Sequence, residues 1–167
     1  MLADAAAGRL KKVYRSENFH DLRGLQLPRY DLINLKHYGF FTTYSVQTSR
    51  GCPFSCDFCS ERFYLGHKYR YRPVEDVVEE IKTIRAKNVF FADSNLAGKR
   101  THTVELMEAL MPLKIRWSAL WSMDLCSNLE FMRLAKKSGL LHVNIGMESI
   151  DQETLNDMNK KANKASQ

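Results

Sequence analysis

Short apolar segments alternate with longer amphipathic segments along the chain from residue 44 onward. The apolar segments have the length of strands and cover residues 44–48, 88–91, 115–121 and 142–146. The amphipathic segments have helical spacing and begin at Pro73, at Thr103, at Leu129 and at Asp151. Such alternation is typical of α/β proteins with parallel strands. The pattern therefore predicts parallel βα repeats that form a partial TIM-like barrel of about four βα units.

The helix that is predicted to begin at Pro73 is supported by its first residues and by its apolar stripe. Proline suits the first turn of a helix because the N–H that it lacks would have no partner there. Acidic residues at 75 and 76 favour the positive end of the helix dipole. Val74, Val77 and Ile81 fall on one face. We expect this stripe to be buried against the sheet.

The rest of the chain does not share this repeat. We interpret residues 1–43 as a linker-like N-terminal segment, residues 44–160 as the core domain, and residues 161–167 as a tail rich in lysine and alanine. Four βα units would leave a strand edge unpaired and part of the core uncovered. We therefore expect the chain to be a fragment of a longer protein.

Composition and charge narrow the classes of function. The chain has 167 residues, is 44% hydrophobic and carries a formal net charge of +6, with no apolar run long enough to span a membrane. One local basic cluster, interleaved with aromatic residues, lies at 62–72. No recognised nucleic-acid-binding motif accompanies it, so the pattern does not favour a nucleic-acid surface. We expect these residues to form a loop that leads into the next helix, with their aromatic side chains packed beneath the loop.

Three cysteines on one short segment are the strongest sign of chemistry. They are Cys52, Cys56 and Cys59, spaced Cys-x-x-x-Cys-x-x-Cys. A disulfide framework does not fit, because the chain has four cysteines in all. A zinc site needs four ligands, and neither His67 nor Cys126 completes a second pair at zinc spacing. A 4Fe–4S cluster usually takes four cysteines, so three would leave one iron open to a ligand. Zinc and incidental thiols are the alternatives.

This spacing resembles that of the radical S-adenosylmethionine (radical SAM) superfamily. Phe58 supplies the aromatic residue that commonly precedes the last cysteine in that family. The segments 50–53 and 71–81 resemble the subgroup that carries a cobalamin-binding domain upstream. The cobalt-ligating pattern Asp-x-His-x-x-Gly is absent from this sequence. Any cobalamin would therefore be bound by a domain outside this chain.

The resemblance implies a function. The three cysteines would hold a 4Fe–4S cluster, and S-adenosylmethionine would be cleaved reductively to a 5′-deoxyadenosyl radical that abstracts hydrogen from a small-molecule substrate. Cobalamin-dependent methylation and cyclisation are both outcomes known in the subgroup. An external electron donor such as flavodoxin or ferredoxin would be needed. Oxygen-sensitive chemistry and reduced thiols favour the cytoplasm.

Polar residues follow each predicted strand, where parallel βα folds place their active sites. The resemblance implies that Asp93 and Ser94 contact the amine of S-adenosylmethionine, with Ser94 in place of a second acid. It likewise implies that Glu148 and Ser149 contact the ribose, and that Phe58 lies near the adenine. The alternatives are a helix N-terminal carboxylate for Glu148 and core packing for Phe58.

Two other functions fit the same cysteines. One is a non-catalytic iron–sulfur protein for electron transfer or binding, in which a partner supplies the fourth ligand. The other is a zinc-stabilised nucleic-acid-binding module. Formation of 5′-deoxyadenosine in the presence of a reductant would distinguish the enzyme from both.

Overall fold

The computed structural model describes residues 1–16, 18–34 and 43–164. Its strands are β1 (Tyr44–Val46), β2 (Ser49–Arg50), β3 (Arg70–Tyr71), β4 (Asn88–Phe91), β5 (Arg116–Trp121) and β6 (Leu140–Ile145). Its α-helices are α1 (Leu2–Ala6), α2 (Glu61–Leu65), α3 (Val74–Thr83), α4 (Arg100–Leu110), α5 (Leu129–Lys137) and α6 (Gln152–Asp157). Four 3₁₀ turns are described, at Tyr30–Leu32, Leu96–Gly98, Met111–Leu113 and Met123–Leu125.

The main sheet contains four strands in the order β1-β4-β5-β6. All neighbouring pairs in it are parallel, and α3, α4 and α5 connect successive strands. The predicted α/β fold of parallel βα repeats is therefore confirmed. Within the described residues the sheet stays open, with β1 and β6 at its edges.

A second, smaller sheet was not expected from the sequence. Strands β2 and β3 pair antiparallel, and α2 lies between them directly after the last cysteine. The prediction of a loop at residues 62–72 is therefore wrong. The prediction that its aromatic side chains are packed is wrong for Phe63 and Tyr64, which are 70% and 77% exposed. We call this antiparallel pair, together with its connection through α2, the β2–β3 hairpin. Each of its strands has two residues, which is too short to give a periodic pattern in the sequence.

The hydrophobic core lies between the main sheet and helices α3, α4 and α5. In β5, Trp117, Ala119 and Trp121 are buried on one face while the intervening residues are more exposed. Trp121 packs on Phe131 of α5, with ring centroids 5.6 Å apart. The alternation in β5 thus turns its aromatic side chains towards the helices and leaves the polar positions for the other face.

The predicted N-terminal segment is partly packed on this core. Leu22 is fully buried, and the hydroxyl of Tyr30 lies 2.8 Å from Glu80 Oε1 and 3.0 Å from the carbonyl oxygen of Ser45. Glu80 also forms a buried ion pair with Arg72 (2.5 Å). The parts of the predicted linker at 17 and 35–42, and of the predicted tail at 165–167, lie outside the described residues.

No helix among the described residues has both the length and the hydrophobicity that a bilayer span requires.

Candidate functional site

A cavity of about 410 Å³ lies at the carboxyl ends of the parallel strands. All three motif cysteines line it, together with polar residues at or just after the strand ends: Ser94, Asn95, Ser122, Asn144 and Glu148. Its volume is in the range of small-molecule sites, roughly 300–1,000 Å³. The structure thus brings the loop that carries Cys52, Cys56 and Cys59 (the cysteine loop) and the ends of β4, β5 and β6 to one place.

The backbone around Gly51 positions the cysteine loop. Gly51 has φ +96°, and a Cβ there would lie 2.3 Å from the carbonyl oxygen of Lys68. The next residue, Cys52, donates its backbone N–H to the carbonyl oxygen of Gly66 (3.1 Å). Glycine at 51 therefore lets the start of the loop closely approach the segment between α2 and β3.

The three thiols are free and differ in exposure. Cys56 is buried, whereas Cys52 and Cys59 are half-buried. Burial raises the pKa of the Cys56 thiol, and the nearby ammonium of Lys160 opposes that rise. The hydroxyl of Tyr69 lies 3.9 Å from Cys52 Sγ and can donate to it.

The arrangement of these thiols bears on the kind of metal centre that they could hold. Within residues 1–16, 18–34 and 43–164, no three His, Cys, Asp or Glu side chains converge closely enough to hold one ion. A zinc ion needs its sulfur ligands at about 2.3 Å. In a 4Fe–4S cluster each cysteine binds a different iron, so the sulfurs stand farther apart around one space. Three free thiols around one cavity fit the cluster.

Asp93 does not line this cavity. Its side chain is 2% exposed, and its carboxylate accepts hydrogen bonds from the backbone N–H and hydroxyl groups of both Thr48 and Ser49. Burial raises the pKa of Asp93, and these hydrogen bonds oppose the rise. Asp93 thus ties the end of β4 to the segment that leads into the cysteine loop.

Ser94 does line the cavity, and its hydroxyl has an acidic partner there. Ser94 Oγ donates to Glu61 Oε2 at 2.6 Å, and Glu61 lines the same cavity. Glu61 is the first residue of α2, two positions after Cys59. The carboxylate beside Ser94 therefore comes from the helix that follows the cysteines.

Phe58 and Glu148 line the cavity, and one cation joins them. Lys160 Nζ lies 3.1 Å from Glu148 Oε1 and 5.5 Å from the centroid of the Phe58 ring. Glu148 has φ +61°, and Phe58 is 55% exposed rather than packed in the core. Ser149 is half-buried outside the cavity, where its hydroxyl accepts from the backbone N–H of Asp151 (3.0 Å).

The segment after α6 contributes more to the site than the sequence suggested. The backbone N–H of Asp57 donates to the carbonyl oxygen of Met158 (3.1 Å), and Asn159 Nδ2 donates to the carbonyl oxygen of Ser55 (2.9 Å). Lys160 follows directly and enters the cavity. Sequence reasoning missed Glu61 and Lys160. No local pattern marks Glu61 as part of the site, and Lys160 reaches it from a distant segment of the chain.

Arg50 does not line the cavity of the thiols. It lines a separate cavity of about 230 Å³ with Phe19 and Arg70, which shares no lining residue with the cavity of the thiols. Its Nε donates to Gln47 Oε1 at 2.7 Å. Arg50 is therefore a hydrogen-bonded residue of β2 that does not line the cavity of the thiols.

Comparisons with known proteins match this architecture. The family model described as "Radical SAM superfamily" matches residues 46–166. Bacteriochlorophyllide d C-12(1)-methyltransferase from Chlorobaculum tepidum is 29% identical over 169 residues, which cover 96% of this chain and 37% of that protein. Hopanoid C-3 methylase from Methylococcus capsulatus is 31% identical over 150 residues, which cover 86% of this chain and 29% of that protein.

A solved structure shares the fold. The radical S-adenosylmethionine methyltransferase TsrM from Kitasatospora setae, solved with cobalamin and a 4Fe–4S cluster bound, superimposes with a TM-score of 0.64 at 21% identity. The match covers 72% of this chain and 26% of that one. The chain thus spans roughly a third or less of the length of the proteins that it matches.

Proposed function

Since the chain belongs to the radical SAM superfamily, which is a superfamily of enzymes, we propose that Cys52, Cys56 and Cys59 hold a 4Fe–4S cluster with one iron left for S-adenosylmethionine. One observation carries the proposal: three free thiols line a single cavity at the carboxyl ends of the parallel strands. Such a cavity is where βα folds place their ligands.

When bound, the cluster supplies the electron that breaks a carbon–sulfur bond of S-adenosylmethionine, giving methionine and a 5′-deoxyadenosyl radical. The protein orients the two reactants and limits water around them. The hairpin contacts of Gly51 and Cys52 hold the loop, and the half-buried positions of the thiols restrict solvent on one side.

We propose ligand contacts for the predicted site residues. Phe58 offers an exposed aromatic face for the adenine, and Glu148 offers a carboxylate for the ribose hydroxyls. Ser94 lies at the part of the cavity reached by the end of β4. Asp93 and Ser149 would reach the ligand only by exchanging their present hydrogen-bond partners for it.

The reaction that we propose for the whole protein is methyl transfer to a small organic substrate. Both curated relatives named above are methyl-transferring enzymes, and each is much longer than this chain. We propose that cobalamin, if used, is bound outside this chain, because the cobalt-ligating histidine pattern is absent from it. Cyclisation is the alternative outcome, and product analysis of the full-length protein decides between them.

We further propose that an external one-electron donor, a flavodoxin or ferredoxin, reduces the cluster in the cytoplasm. The surface next to the cysteine loop supports this. Phe63 and Tyr64 are exposed there, beside the basic residues Arg62, His67 and Lys68. An exposed aromatic and basic surface suits an acidic redox protein.

The test starts with anaerobic reconstitution of the chain with iron and sulfide. We expect about four iron atoms per chain and a reduced electron paramagnetic resonance (EPR) signal that changes when S-adenosylmethionine is added. With dithionite, the sample should form 5′-deoxyadenosine. Cys59→Ser should lose the cluster, whereas Cys126→Ser, a half-buried cysteine outside the cavity, should keep it.

The outcomes separate the functions. An unchanged EPR signal with no 5′-deoxyadenosine would favour a non-catalytic iron–sulfur protein. Stoichiometric zinc without iron after aerobic purification would contradict the cluster altogether.

A further inference from the structure

The segment between α2 and β3 runs beside the first motif cysteine. The carbonyl oxygen of Gly66 accepts from the backbone N–H of Cys52 (3.1 Å). The carbonyl group of Lys68 lies against Gly51, which leaves no room for a side chain there. At the end of the segment, the hydroxyl of Tyr69 lies 3.9 Å from Cys52 Sγ. The backbone contacts on both sides therefore fix the sulfur and the hydroxyl relative to each other.

The ring of Tyr69 is held in this position by packing. The side chain is half-buried, and its ring centroid lies 5.6 Å from that of Tyr71. A Cβ at Gly98 would overlap ring atoms of Tyr69 and its hydroxyl oxygen, so the absence of a side chain at 98 makes room for the ring. Packing on Tyr71 and Gly98 thus keeps the hydroxyl close to Cys52 Sγ.

This contact makes Cys52 different from the other two motif cysteines. In the part of the chain that the structure describes, it is the hydrogen bond that ends on a motif sulfur. A tyrosine hydroxyl titrates near pH 10, so at neutral pH it keeps the proton that a donor needs. A cysteine that binds metal is a thiolate, and a hydrogen bond to a charged acceptor is stronger than one to a neutral thiol.

We infer that Tyr69 is a positioning residue that donates a hydrogen bond to Cys52 Sγ in the cluster-loaded protein and thereby makes the cluster easier to reduce. Reduction adds one electron, which the external donor supplies, and part of its charge spreads onto the sulfur ligands. A hydrogen-bond donor at a sulfur stabilises this added charge, which raises the reduction potential. The O–H bond itself stays intact. The inference rests on the cluster of the proposed function but not on the binding of S-adenosylmethionine.

The test measures the midpoint potential of the reconstituted chain by titration with dithionite, followed by EPR, without S-adenosylmethionine. Tyr69→Phe keeps the ring and removes the hydroxyl. Its cluster should be roughly tenfold less favourable to reduce, which for a one-electron couple corresponds to a midpoint about 59 mV more negative. Electron–nuclear double resonance of the reduced wild-type cluster should also show one more exchangeable proton coupling than that of Tyr69→Phe.

Tyr71→Phe is the matched control. It removes the same group from the ring that packs on Tyr69, and the hydroxyl of Tyr71 is buried without a hydrogen-bond partner among the described residues. The equilibrium constant for reduction of this variant should stay within about twofold of wild type.

Gly98→Ala tests the same contact without removing the hydroxyl. The new methyl group would displace the Tyr69 ring, so the midpoint should again become more negative. Added to Tyr69→Phe, it should change the midpoint no further, because the hydrogen bond is already lost. Gly98→Ala also serves if Tyr69→Phe does not take up iron.

Three results would overturn the inference. They are a wild-type midpoint in Tyr69→Phe, an equal shift in Tyr71→Phe, or loss of iron uptake in both Tyr69→Phe and Gly98→Ala, which would mean that the contact is needed to form the cluster and not to tune it. Failure of the proposed function looks different. If the wild type takes up no cluster, the inference falls together with the proposed function. If the wild type holds a cluster with the expected shifts but does not cleave S-adenosylmethionine, the inference stands and the enzymatic function is contradicted.

Discussion

At the scale of single residues, buried hydrogen-bond acceptors hold the cysteine loop in place. The carboxylate of Asp93 accepts from four donors on Thr48 and Ser49, three positions before Cys52. All four donors reach one oxygen, Oδ1, and the backbone N–H of Thr48 also reaches Oδ2. The residue to which the sequence resemblance assigned ligand binding therefore organises the loop that carries the thiols.

Replacement of Asp93 tests this structural role. Asp93→Ala leaves buried N–H and hydroxyl donors without an acceptor and should lower the free energy of unfolding by about 3 kcal/mol or more. Asp93→Asn keeps an oxygen that can take the place of Oδ1 and should cost about 1 kcal/mol. Urea unfolding of the metal-free chain measures both. Equal stability of the two variants would contradict the loop-holding role.

His102 gives the chain a dependence of stability on pH. Its ring packs on Tyr71 with centroids 4.6 Å apart, and its Nε2 is buried without a hydrogen-bond partner in the described part of the chain. Burial lowers the pKa of His102. As pH falls below about 6.5, the unfolded chain gains a proton that the folded chain resists, so stability falls.

The expected result is a shallower pH dependence in His102→Phe. Urea midpoints measured between about pH 5 and pH 8 should decline towards acid for the wild type and less steeply for the variant. The aromatic ring of phenylalanine preserves packing on Tyr71. His67→Phe, at an exposed position, is the control and should keep the wild-type slope. Identical slopes in all three proteins would show that His102 has no such effect.

At the scale of single residues, the sequence predicted the thiols and the polar residues at the strand ends but not the whole site. The cysteine spacing led to the family, which is confirmed. The carboxylate beside Ser94 could not be predicted, because Glu61 has no signal of its own in a segment with two-residue strands on either side. Lys160 lies after a short helix, as the last residue of the predicted core domain, where no pattern marks it as part of a site.

At the scale of elements, the long periodic segments were predictable and the short hairpin was not. Strands β4 and β5 lie within two residues of their predicted bounds, and helices α3 and α5 begin within two residues of their predicted starts, because apolar periodicity records which face is buried. The β2–β3 hairpin depends instead on one close backbone approach at Gly51. Such an approach is a tertiary contact, and no pattern in a single sequence encodes it.

Gly51→Ala tests the importance of that approach. The new methyl group would meet the carbonyl oxygen of Lys68 in a left-handed conformation, so we expect a loss of about 2–4 kcal/mol in stability. Gly24→Ala is the matched control, since Gly24 also has a positive φ (+65°) but open space around it, and should cost about 1 kcal/mol. Urea unfolding measures both variants.

The amount of iron taken up on reconstitution is a second measurement on the Gly51→Ala and Gly24→Ala variants. Gly51→Ala should take up much less iron than Gly24→Ala on reconstitution, because the displaced hairpin begins the cysteine loop. Full iron loading of a destabilised Gly51→Ala chain would mean that the loop does not depend on the hairpin.

At the scale of the whole molecule, the cavity opens at one end of the sheet while basic and aromatic side chains lie beside the cysteine loop. Arg62 stacks on Phe63, with its guanidinium carbon 5.0 Å from the ring centroid, and Lys68 is exposed nearby. The chain carries a net charge of +6. An acidic electron donor would be steered to this surface by long-range attraction.

Charge reversal tests whether this surface receives the donor. The double variant Arg62→Glu/Lys68→Glu should slow reduction of the cluster by an acidic flavodoxin or ferredoxin roughly tenfold at low salt. The difference should shrink as salt screens the charges, since the screening length is about 8 Å at physiological ionic strength. Lys136→Glu/Lys137→Glu makes the same charge change on exposed residues of α5 and should matter little. Equal slowing by both double variants would mean that net charge alone, and not this surface, determines the rate of reduction.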